Sequence, residues 1–371
     1  MPPTATGSSV IAKNLACGFD SDEIVMIGQV LYDNRIDLSG IEKIRRIRIP
    51  DYPFHWRIKS FFEPFYVIPL TVAAGVAATR RYKLRAVVAC FPNAPFLFAG
   101  LLISIIAKVP FYPYYHNLYV ETRTNRVSRT IAQIIQSISF SYAAQVFSMS
   151  KGMAGFLLKR YGQKSHPILH PIPSSIPAFR ELPAAKRPYK IAITGNINFT
   201  MGETLRRLVS VIRDVSDFQL HIFTSTSGDV IRNYLRIYGD NIDVMHVANR
   251  EQLIDSIRDC DLLTLALDER RGDLEDDFKT QFPTRTLELL VSERPILVLA
   301  PEDYYIARFF RETGAGEVVS STDCETIRNA IIELCENPTK RNMYVRNALN
   351  IAKQYRVEKV VATLRSVLPN R

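Results

Sequence analysis

Three polar side chains at the start of a predicted helix have the chemistry to hold a nucleotide diphosphate. In the stretch FKTQFPTRTLELLVSERPILVLAP (278–301), a proline fits the first helical turn and Thr284, Arg285 and Glu288 follow it. Arg285 and Glu288 are three residues apart, so they share a helix face near an N-terminus that favours phosphate. The guanidinium matches phosphate oxygens, whereas the carboxylate only accepts hydrogen bonds, which suits ribose hydroxyls. We therefore expect this segment to bind a nucleotide.

A turn after the predicted strand KIAIT (190–194) is a second candidate for contact with phosphate. Gly195 and Asn196 follow this strand directly, and Gly202 closes the loop before the next predicted helix. Glycine allows backbone N–H groups to approach a phosphate closely. An ordinary turn between a strand and a helix has the same pattern, and the sequence leaves these two interpretations open.

The sequence contains no segment with the spacing of a metal site. His166 and His170 are four residues apart, but the prolines beside them indicate an extended segment rather than a helix. The acidic stretch DERRGDLEDD (268–277) has no fixed ligand spacing, and we interpret it as a solvated loop near the nucleotide. The five cysteines are scattered and without C-x-x-C spacing, which indicates a reducing compartment. We expect neither a metal nor a cofactor.

The candidate residues lie at the ends of strands in two successive runs of alternating strands and helices. The first run contains apolar strands such as EIVMI and RAVVAC, and the second contains KIAIT and DLLTLAL. This alternation predicts an α/β fold with two doubly wound parallel sheets that face each other across a cleft. We place an N-terminal domain at 1–172, a proline-rich linker at 173–188, and a C-terminal domain with terminal helices at 189–371.

Two apolar runs in the first half of the chain are candidates for membrane spans. The runs at 65–79 and 95–107 are shorter than the roughly 20 residues that a spanning helix needs. We therefore interpret both as buried helices of an α/β domain.

The excess positive charge of the chain is confined to its first half. Residues 1–180 have 21 Lys and Arg against 9 Asp and Glu, while the remainder has 47 − 21 = 26 against 37 − 9 = 28. This asymmetry indicates an anionic partner. The segment 43–66 mixes basic and aromatic residues, including Trp56, and favours contact with an anionic membrane over an ordinary basic surface. No nucleic-acid-binding module accompanies the charge, so we expect no nucleic acid partner.

The run FPTRTLELLVSERPILVL resembles the donor-binding segment of GT-B-fold glycosyltransferases of the retaining group 1 type. The resemblance implies that Arg285 lies near the donor diphosphate and supports the departing phosphate, and that Glu288 holds the ribose. Many retaining relatives carry a further glutamate eight residues earlier, where this chain has Thr280. The basic pair of the family's glycine loop is replaced here by Asn196 and Met201.

The same resemblance implies roles for residues of the N-terminal domain. In this family a histidine stands at the end of the strand that corresponds to 111–115, where it faces the acceptor and the reacting sugar carbon. His116 takes this place, although a lone histidine is often structural. Gly7 and Ser8 match the loop that the family uses for acceptor or phosphate. The strand that normally precedes this loop, central in its sheet, is missing, so we expect a gap in the sheet or an upstream start.

These features predict a glycosyltransferase of the retaining hexosyltransferase type that transfers a sugar from a nucleotide-sugar donor. The expected acceptor is a glycan or a lipid-linked molecule in the synthesis of a cell-surface polysaccharide or glycoconjugate. We expect a cytoplasmic protein at the inner face of the membrane, held by its basic N-terminal domain. Two alternatives stay open: a nucleotide-sugar 2-epimerase, which acts on the donor alone, and a non-catalytic relative that binds a sugar nucleotide.

Overall fold

The chain forms two compact α/β units. The computed structural model describes residues 7–369, apart from 30–39, 51–55, 173–174, 196, 198–199, 214, 225–230, 232–239 and 248–249. Unit 1 comprises Met1–Pro173, Arg271–Gln281 and Tyr355–Arg371, and unit 2 comprises Ser174–Arg270 and Phe282–Gln354. Each unit contains parallel strands that alternate with helices. The predicted fold class is thus confirmed.

The first half of the chain supplies six strands and five helices of unit 1. The helices are α1 (Gly7–Ala16), α2 (Trp56–Tyr82), α3 (Ala94–Ala107), α4 (Arg126–Tyr142) and α5 (Lys151–Tyr161). The strands are β1 (Val25–Gln29), β2 (Arg45–Ile49), β3 (Val87–Phe91), β4 (Phe111–Tyr115), β5 (Val146–Ser148) and β6 (Ser165–Pro167). Asn93, Asn125 and Ser150 accept backbone hydrogen bonds at the N-termini of α3, α4 and α5, which fixes where these helices begin.

The strands of unit 1 form two separate parallel sheets in the described part of the chain. β1 pairs only with β2, and the other four strands follow the order β3-β4-β5-β6. Side chains such as Leu97, Leu101 and Phe111 form a buried core against the larger sheet. One edge of β1 and one edge of β3 therefore lack a paired strand among these residues.

The second half of the chain supplies the remaining elements. The helices are α6 (Gly202–Ile212), α7 (Arg250–Arg258), α8 (Glu275–Thr280), α9 (Thr286–Leu290), α10 (Tyr305–Thr313), α11 (Cys324–Glu336), α12 (Pro338–Ala352) and α13 (Val357–Val367). The strands are β7 (Tyr189–Thr194), β8 (Phe218–Thr224), β9 (Ile242–His246), β10 (Leu262–Ala266), β11 (Ile296–Leu299) and β12 (Glu317–Val319). The helix predicted to begin near Pro283 is shorter than expected, because only the five residues of α9 are helical.

Unit 2 is built on a six-stranded parallel sheet with the order β12-β11-β10-β7-β8-β9. The first strand of the unit, β7, lies in the middle, between β8 and β10. Buried side chains such as Ile191, Leu220 and Leu262 join its strands to α6 and α11 in one core. The strand order reverses at β7, and in such sheets ligands bind outside the carboxyl ends of the strands at this point. Thr194 at the end of β7 therefore marks the expected position of a site.

Two segments from the second half of the sequence belong to unit 1. Segment 271–281, which contains α8, and segment 355–371, which contains α13, both pack with the N-terminal elements. Arg365 on α13 forms an ion pair with Glu23 at 2.6 Å, and Tyr355 accepts a backbone hydrogen bond from Ile172 at 2.7 Å. The contacts thus divide the chain differently from the sequence-based boundaries, which placed both segments in the C-terminal domain.

Among the described residues, α2 is long and apolar enough to cross a membrane by length and composition alone. The relevant part, Phe62–Tyr82, has 21 residues, and about a third of it is buried. The apolar run read from the sequence was shorter because the helix continues into its flanking aromatic and charged residues. The helix packs against α3, β1 and β2. The buried core helix of an α/β domain has the same length and composition.

Candidate functional site

Arg285 lies against the glycine turn that follows β7. Its Nη1 donates a hydrogen bond to the Thr194 carbonyl oxygen at 3.0 Å and lies 3.1 Å from the Met201 sulfur. A methyl group on Gly195 would be 3.1 Å from the same nitrogen, and Gly195 has a φ of +102°. Only glycine adopts this backbone conformation readily and leaves room for the guanidinium. The structure thus brings together two motifs that are about 90 residues apart in sequence.

The guanidinium of Arg285 is a partly buried cation. Burial lowers the pKa of Arg285 to about 10, and the nearby carboxylate of Glu288 opposes this shift. Arg285 therefore keeps its charge at neutral pH. Met201, which stands where the resembled family has a basic residue, is fully buried against it. A phosphate at this turn would thus meet the charge of Arg285 without a second cation from position 201.

The helix that carries Glu288 is a single turn. Arg285 immediately precedes α9, and Thr284 lies in the turn before it. Because this helix has only five residues, its dipole is small and contributes little to binding of a phosphate at its N-terminus. Glu288 nevertheless lies close enough to Arg285 to affect its pKa, as expected for residues three apart. Asn196, the remaining donor-site candidate, lies outside the described residues.

Asp268 caps helix α6, next to the same glycine turn. Its carboxylate accepts hydrogen bonds from the backbone N–H groups of Glu203 at 3.1 Å and Thr204 at 2.8 Å. Asp268 is buried, so the interpretation of the whole stretch 268–277 as a solvated loop is wrong. The amides at the start of α6 are already occupied by a protein carboxylate. Arg285 is therefore the better candidate for contact with a phosphate at this turn.

Two further basic side chains, one in each unit, are engaged in ion pairs. Arg206 lies beside Glu203 one turn earlier on α6. Lys279, in unit 1, lies 2.8 Å from Glu275. Both pairs are partly exposed, so each could exchange its carboxylate for another anion at small cost.

His116 in unit 1 is a buried, neutral imidazole. Only 1% of the residue is exposed, and its ring meets the Tyr114 ring edge-on at 4.3 Å between centroids. Burial and, to a smaller extent, the nearby His170 lower the pKa of His116 to about 3. Neither ring nitrogen of His116 has a hydrogen-bond partner among the described residues. A buried polar group of this kind costs free energy, which makes it a good candidate for contact with a ligand.

Asp277 binds the loop that directly follows His116. Its Oδ1 accepts a hydrogen bond from the Leu118 N–H at 2.8 Å, and its Oδ2 lies 3.4 Å from the Asn117 amide nitrogen. The Ser150 hydroxyl donates to the Thr280 carbonyl oxygen at 2.6 Å, so α8 is held through its third and its last residue. Burial raises the pKa of Asp277 to about 6. Sequence reasoning missed Asp277 because its partners are 159 and 160 residues away and no local pattern marks it.

The remaining candidates of the N-terminal domain lie at the start of its first helix. Gly7 and Ser8 are the first two residues of α1. Glu121, five residues after His116, accepts a hydrogen bond from the Tyr161 hydroxyl, and burial raises its pKa. No group of three or more histidine, cysteine, aspartate or glutamate side chains suited to a metal ion occurs in the described part of the chain.

Structural neighbours exist despite very low sequence similarity. The sequence matches no protein-family profile and no curated protein. The structure is similar to sucrose-phosphate synthase from Thermosynechococcus elongatus, with a TM-score of 0.72 and 14% identity over 98% of this chain and 93% of that one. It is also similar to Anabaena HepE in complex with UDP and glucose, with a TM-score of 0.70 and 13% identity over 99% and 96% of the two chains.

A third neighbour belongs to a different class of enzyme. It is a putative UDP-N-acetylglucosamine 2-epimerase from Listeria monocytogenes, with a TM-score of 0.60 and 12% identity over 98% and 93% of the two chains. All three likenesses extend over almost the whole length of both chains. The chain has the GT-B fold. At these identities the likeness establishes the fold and leaves the reaction to be argued from the site.

Within this fold, each unit contains one group of candidate residues. Unit 2 brings together Gly195, Arg285 and Glu288 at the central strand of its sheet. Unit 1 places His116 at the carboxyl end of β4, as the sequence predicted, and adds Asp277. The roles of these residues in binding and catalysis stay predictions.

Proposed function

We propose that the protein is a glycosyltransferase that transfers a sugar from a nucleotide-sugar donor. The observation that carries this proposal is the guanidinium of Arg285, which lies in the Gly195 turn at the central strand of unit 2, with Glu288 nearby. The cation suits a diphosphate and the carboxylate suits ribose hydroxyls. Support comes from the GT-B fold and from the neighbour bound to UDP and glucose.

In the proposed reaction, the bond between the sugar carbon and the donor phosphate breaks and its electron pair stays on the diphosphate. An acceptor oxygen forms the new bond to that carbon, and the hydroxyl proton of the acceptor passes to a phosphate oxygen of the departing diphosphate. Arg285 stabilises the charge that develops on the departing diphosphate. Because this charge is met by a protein cation, we propose that the reaction needs no metal and no cofactor.

His116 acts in this proposal as a neutral hydrogen-bonding group. Its lowered pKa keeps the imidazole uncharged at physiological pH, so it can orient a hydroxyl but supplies no positive charge. Thr284 and Asn196 complete the donor-binding set predicted from the sequence, and Gly7 and Ser8 form the start of the proposed acceptor loop. We further propose a retaining hexosyltransferase that acts in the synthesis of a cell-surface polysaccharide or glycoconjugate.

The proposed acceptor is a glycan or a lipid-linked molecule. The balance of +12 in residues 1–180 supports a protein held at an anionic membrane surface, and we propose the cytoplasmic side of that membrane. This places the enzyme where nucleotide sugars and a lipid-linked acceptor can both reach it.

Transfer of radiolabelled sugar from a panel of nucleotide sugars to a lipid fraction tests the proposal. We expect Arg285→Ala to reduce transfer by about a hundredfold or more, because it removes the cation at the leaving group. Glu288→Ala should reduce sugar transfer by about tenfold or more, since the ribose hydroxyls lose the carboxylate that accepts their hydrogen bonds. Arg328→Ala and Glu325→Ala, at exposed positions of α11, are matched controls that should leave transfer unchanged. Equal transfer in all four variants would contradict the proposal.

A nucleotide-sugar 2-epimerase is the second candidate, because one structural neighbour carries that description. An epimerase converts the donor without an acceptor, so incubation with the donor alone distinguishes the two functions. We expect no epimer to form. Formation of an epimer that depends on Arg285 and Glu288 would favour the second candidate, and nucleotide binding without any turnover would favour a non-catalytic relative.

A further inference from the structure

Helix α4 exposes an apolar face. Five large side chains on this helix are between 38% and 68% exposed: Val127, Ile131, Ile134, Ile138 and Tyr142. Their spacings of four, three, four and four residues place them on one stripe along the helix. The stripe runs the full length of the 17-residue helix, which is about 25 Å. We call these five residues the α4 stripe.

The opposite face of α4 packs on the rest of unit 1 through a mixture of polar and apolar side chains, including Ile135 and Phe140. Its buried residues are Ala132, Gln136 and Ser139. A helix on the surface of a globular protein normally buries its apolar face and exposes its polar one. Helix α4 instead has apolar side chains on both its packed and its exposed face, so packing within the unit does not explain the α4 stripe. Exposed apolar surface of this extent marks an interaction site.

The segment that contains the α4 stripe carries positive charge only. Residues 122–180 include eight Lys and Arg and no Asp or Glu: Arg123, Arg126, Arg129, Lys151, Lys159, Arg160, Lys164 and Arg180. Arg126 is exposed at the first turn of α4, and Arg129 forms an ion pair with Asp273 at 3.3 Å. At the other end of the helix is Tyr142, an aromatic residue of the kind enriched at membrane interfaces.

We propose that the α4 stripe docks unit 1 on an anionic lipid bilayer, with α4 lying in the plane of the membrane surface. This inference rests on the proposed function in its form with a lipid-linked acceptor, and it identifies the surface that makes the contact. An apolar face without acidic residues and with basic neighbours is the pattern of helices that bind at this interface. A second copy of the chain is a poorer occupant, because two such basic surfaces facing each other would repel.

The α4 stripe differs from the surface that the sequence alone indicated. Segment 43–66 was predicted to contact the membrane because its basic and aromatic residues are contiguous in sequence. The α4 stripe is interrupted in sequence by polar residues, and its exposure becomes visible only when the packed face of the helix is known. The side chain of Trp56 lies outside the described residues.

Sedimentation of the full-length protein with lipid vesicles tests this inference. We expect binding to phosphatidylcholine vesicles that contain phosphatidylglycerol and much weaker binding to phosphatidylcholine alone. The triple variant Ile131→Gln/Ile134→Gln/Ile138→Gln should lower the partition coefficient by about tenfold or more, since it removes three apolar side chains from the interface. Arg126→Gln should lower it by about fivefold. Met343→Gln, at an equally exposed position of α12 in unit 2, is the matched control and should bind like the wild type.

Three results would overturn the inference: no binding of the wild type to anionic vesicles, unchanged binding of the triple variant, or a dimer in analytical ultracentrifugation that the triple variant abolishes. Nucleotide binding by the same samples separates this inference from the proposed function. A triple variant that loses vesicle binding and keeps nucleotide binding supports the α4 stripe. A wild type that binds vesicles but no nucleotide contradicts only the proposed function.

Discussion

Gly195 is the residue on which the geometry around Arg285 depends most directly. Its φ of +102° is a backbone conformation that L side chains rarely adopt, and a methyl group there would crowd the guanidinium at 3.1 Å. The sequence marked Gly195 and Arg285 separately, because each is typical of a phosphate site. Their contact could not be predicted, since it depends on how the turn before α9 packs against the end of β7.

We predict that Gly195→Ala lowers the free energy of unfolding by about 1 kcal/mol or more and weakens nucleotide binding, because backbone strain displaces the guanidinium. Denaturant unfolding and calorimetric titration measure the two effects. Gly155→Ala is the matched control: this glycine lies within α5 with open space around it, so alanine there should be neutral or stabilising. If both variants changed the free energy of unfolding and the nucleotide affinity equally, the close contact between Gly195 and Arg285 would not explain the effect.

The buried ionisable groups of unit 1 predict opposing effects of pH on stability. The pKa of Asp277 is raised to about 6 in the folded protein, so the folded protein binds a proton at Asp277 as the pH falls through 6. The contribution of Asp277 to the free energy of unfolding therefore becomes more favourable in acid. The pKa of His116 is lowered to about 3 in the folded protein. Its contribution to the free energy of unfolding is therefore fully present above pH 6.5 and is lost as the pH falls. In the wild type these two effects largely oppose each other.

Asp277→Asn and His116→Asn should separate the two contributions. Between about pH 7.5 and about pH 4.5, Asp277→Asn should lose about 2 kcal/mol of unfolding free energy relative to the wild type. His116→Asn should change in the opposite direction by about 2–3 kcal/mol. Urea unfolding at both pH values measures these shifts. Variants whose pH dependence matches that of the wild type would show that neither group titrates as its burial requires.

At the scale of elements, the end of β10 and the start of α6 are joined through Asp268. The strands were predicted from their apolar runs, and β7 and β10 lie where KIAIT and DLLTLAL indicated. The acidic stretch that follows β10 was misinterpreted, because composition alone does not distinguish a carboxylate that caps a distant helix from one in water.

We predict that Asp268→Ala destabilises the protein by about 1–2 kcal/mol, because two backbone N–H groups at the start of α6 lose their acceptor. Thermal or denaturant unfolding measures the change. Asp273→Ala removes a carboxylate from the same acidic stretch, where it makes only an exposed ion pair with Arg129, and should cost less than about 0.5 kcal/mol. A loss in Asp273→Ala as large as in Asp268→Ala would contradict the capping role.

At the scale of the whole molecule, the alternation of apolar strands and helices was enough to predict two α/β units. It was not enough to predict which chain segments belong to each unit. Segments 271–281 and 355–371 join unit 1 although most of the second half forms unit 2. Their contacts, such as Asp277 with Leu118 and Arg365 with Glu23, are made with residues far away in sequence. Local patterns contain no information about such pairs, whereas the parallel sheets follow from the alternation of strands and helices.

The central claim is that unit 2 of this GT-B-fold chain binds the diphosphate and ribose of a nucleotide through Arg285 and Glu288. Calorimetric titration of the wild type with a panel of nucleoside diphosphates tests it most directly. We predict saturable binding of at least one nucleotide, with affinity reduced about tenfold or more in Arg285→Ala and unchanged in Arg328→Ala. Tight binding that Arg285→Ala leaves intact, or no binding of any nucleotide by the wild type, would contradict the claim.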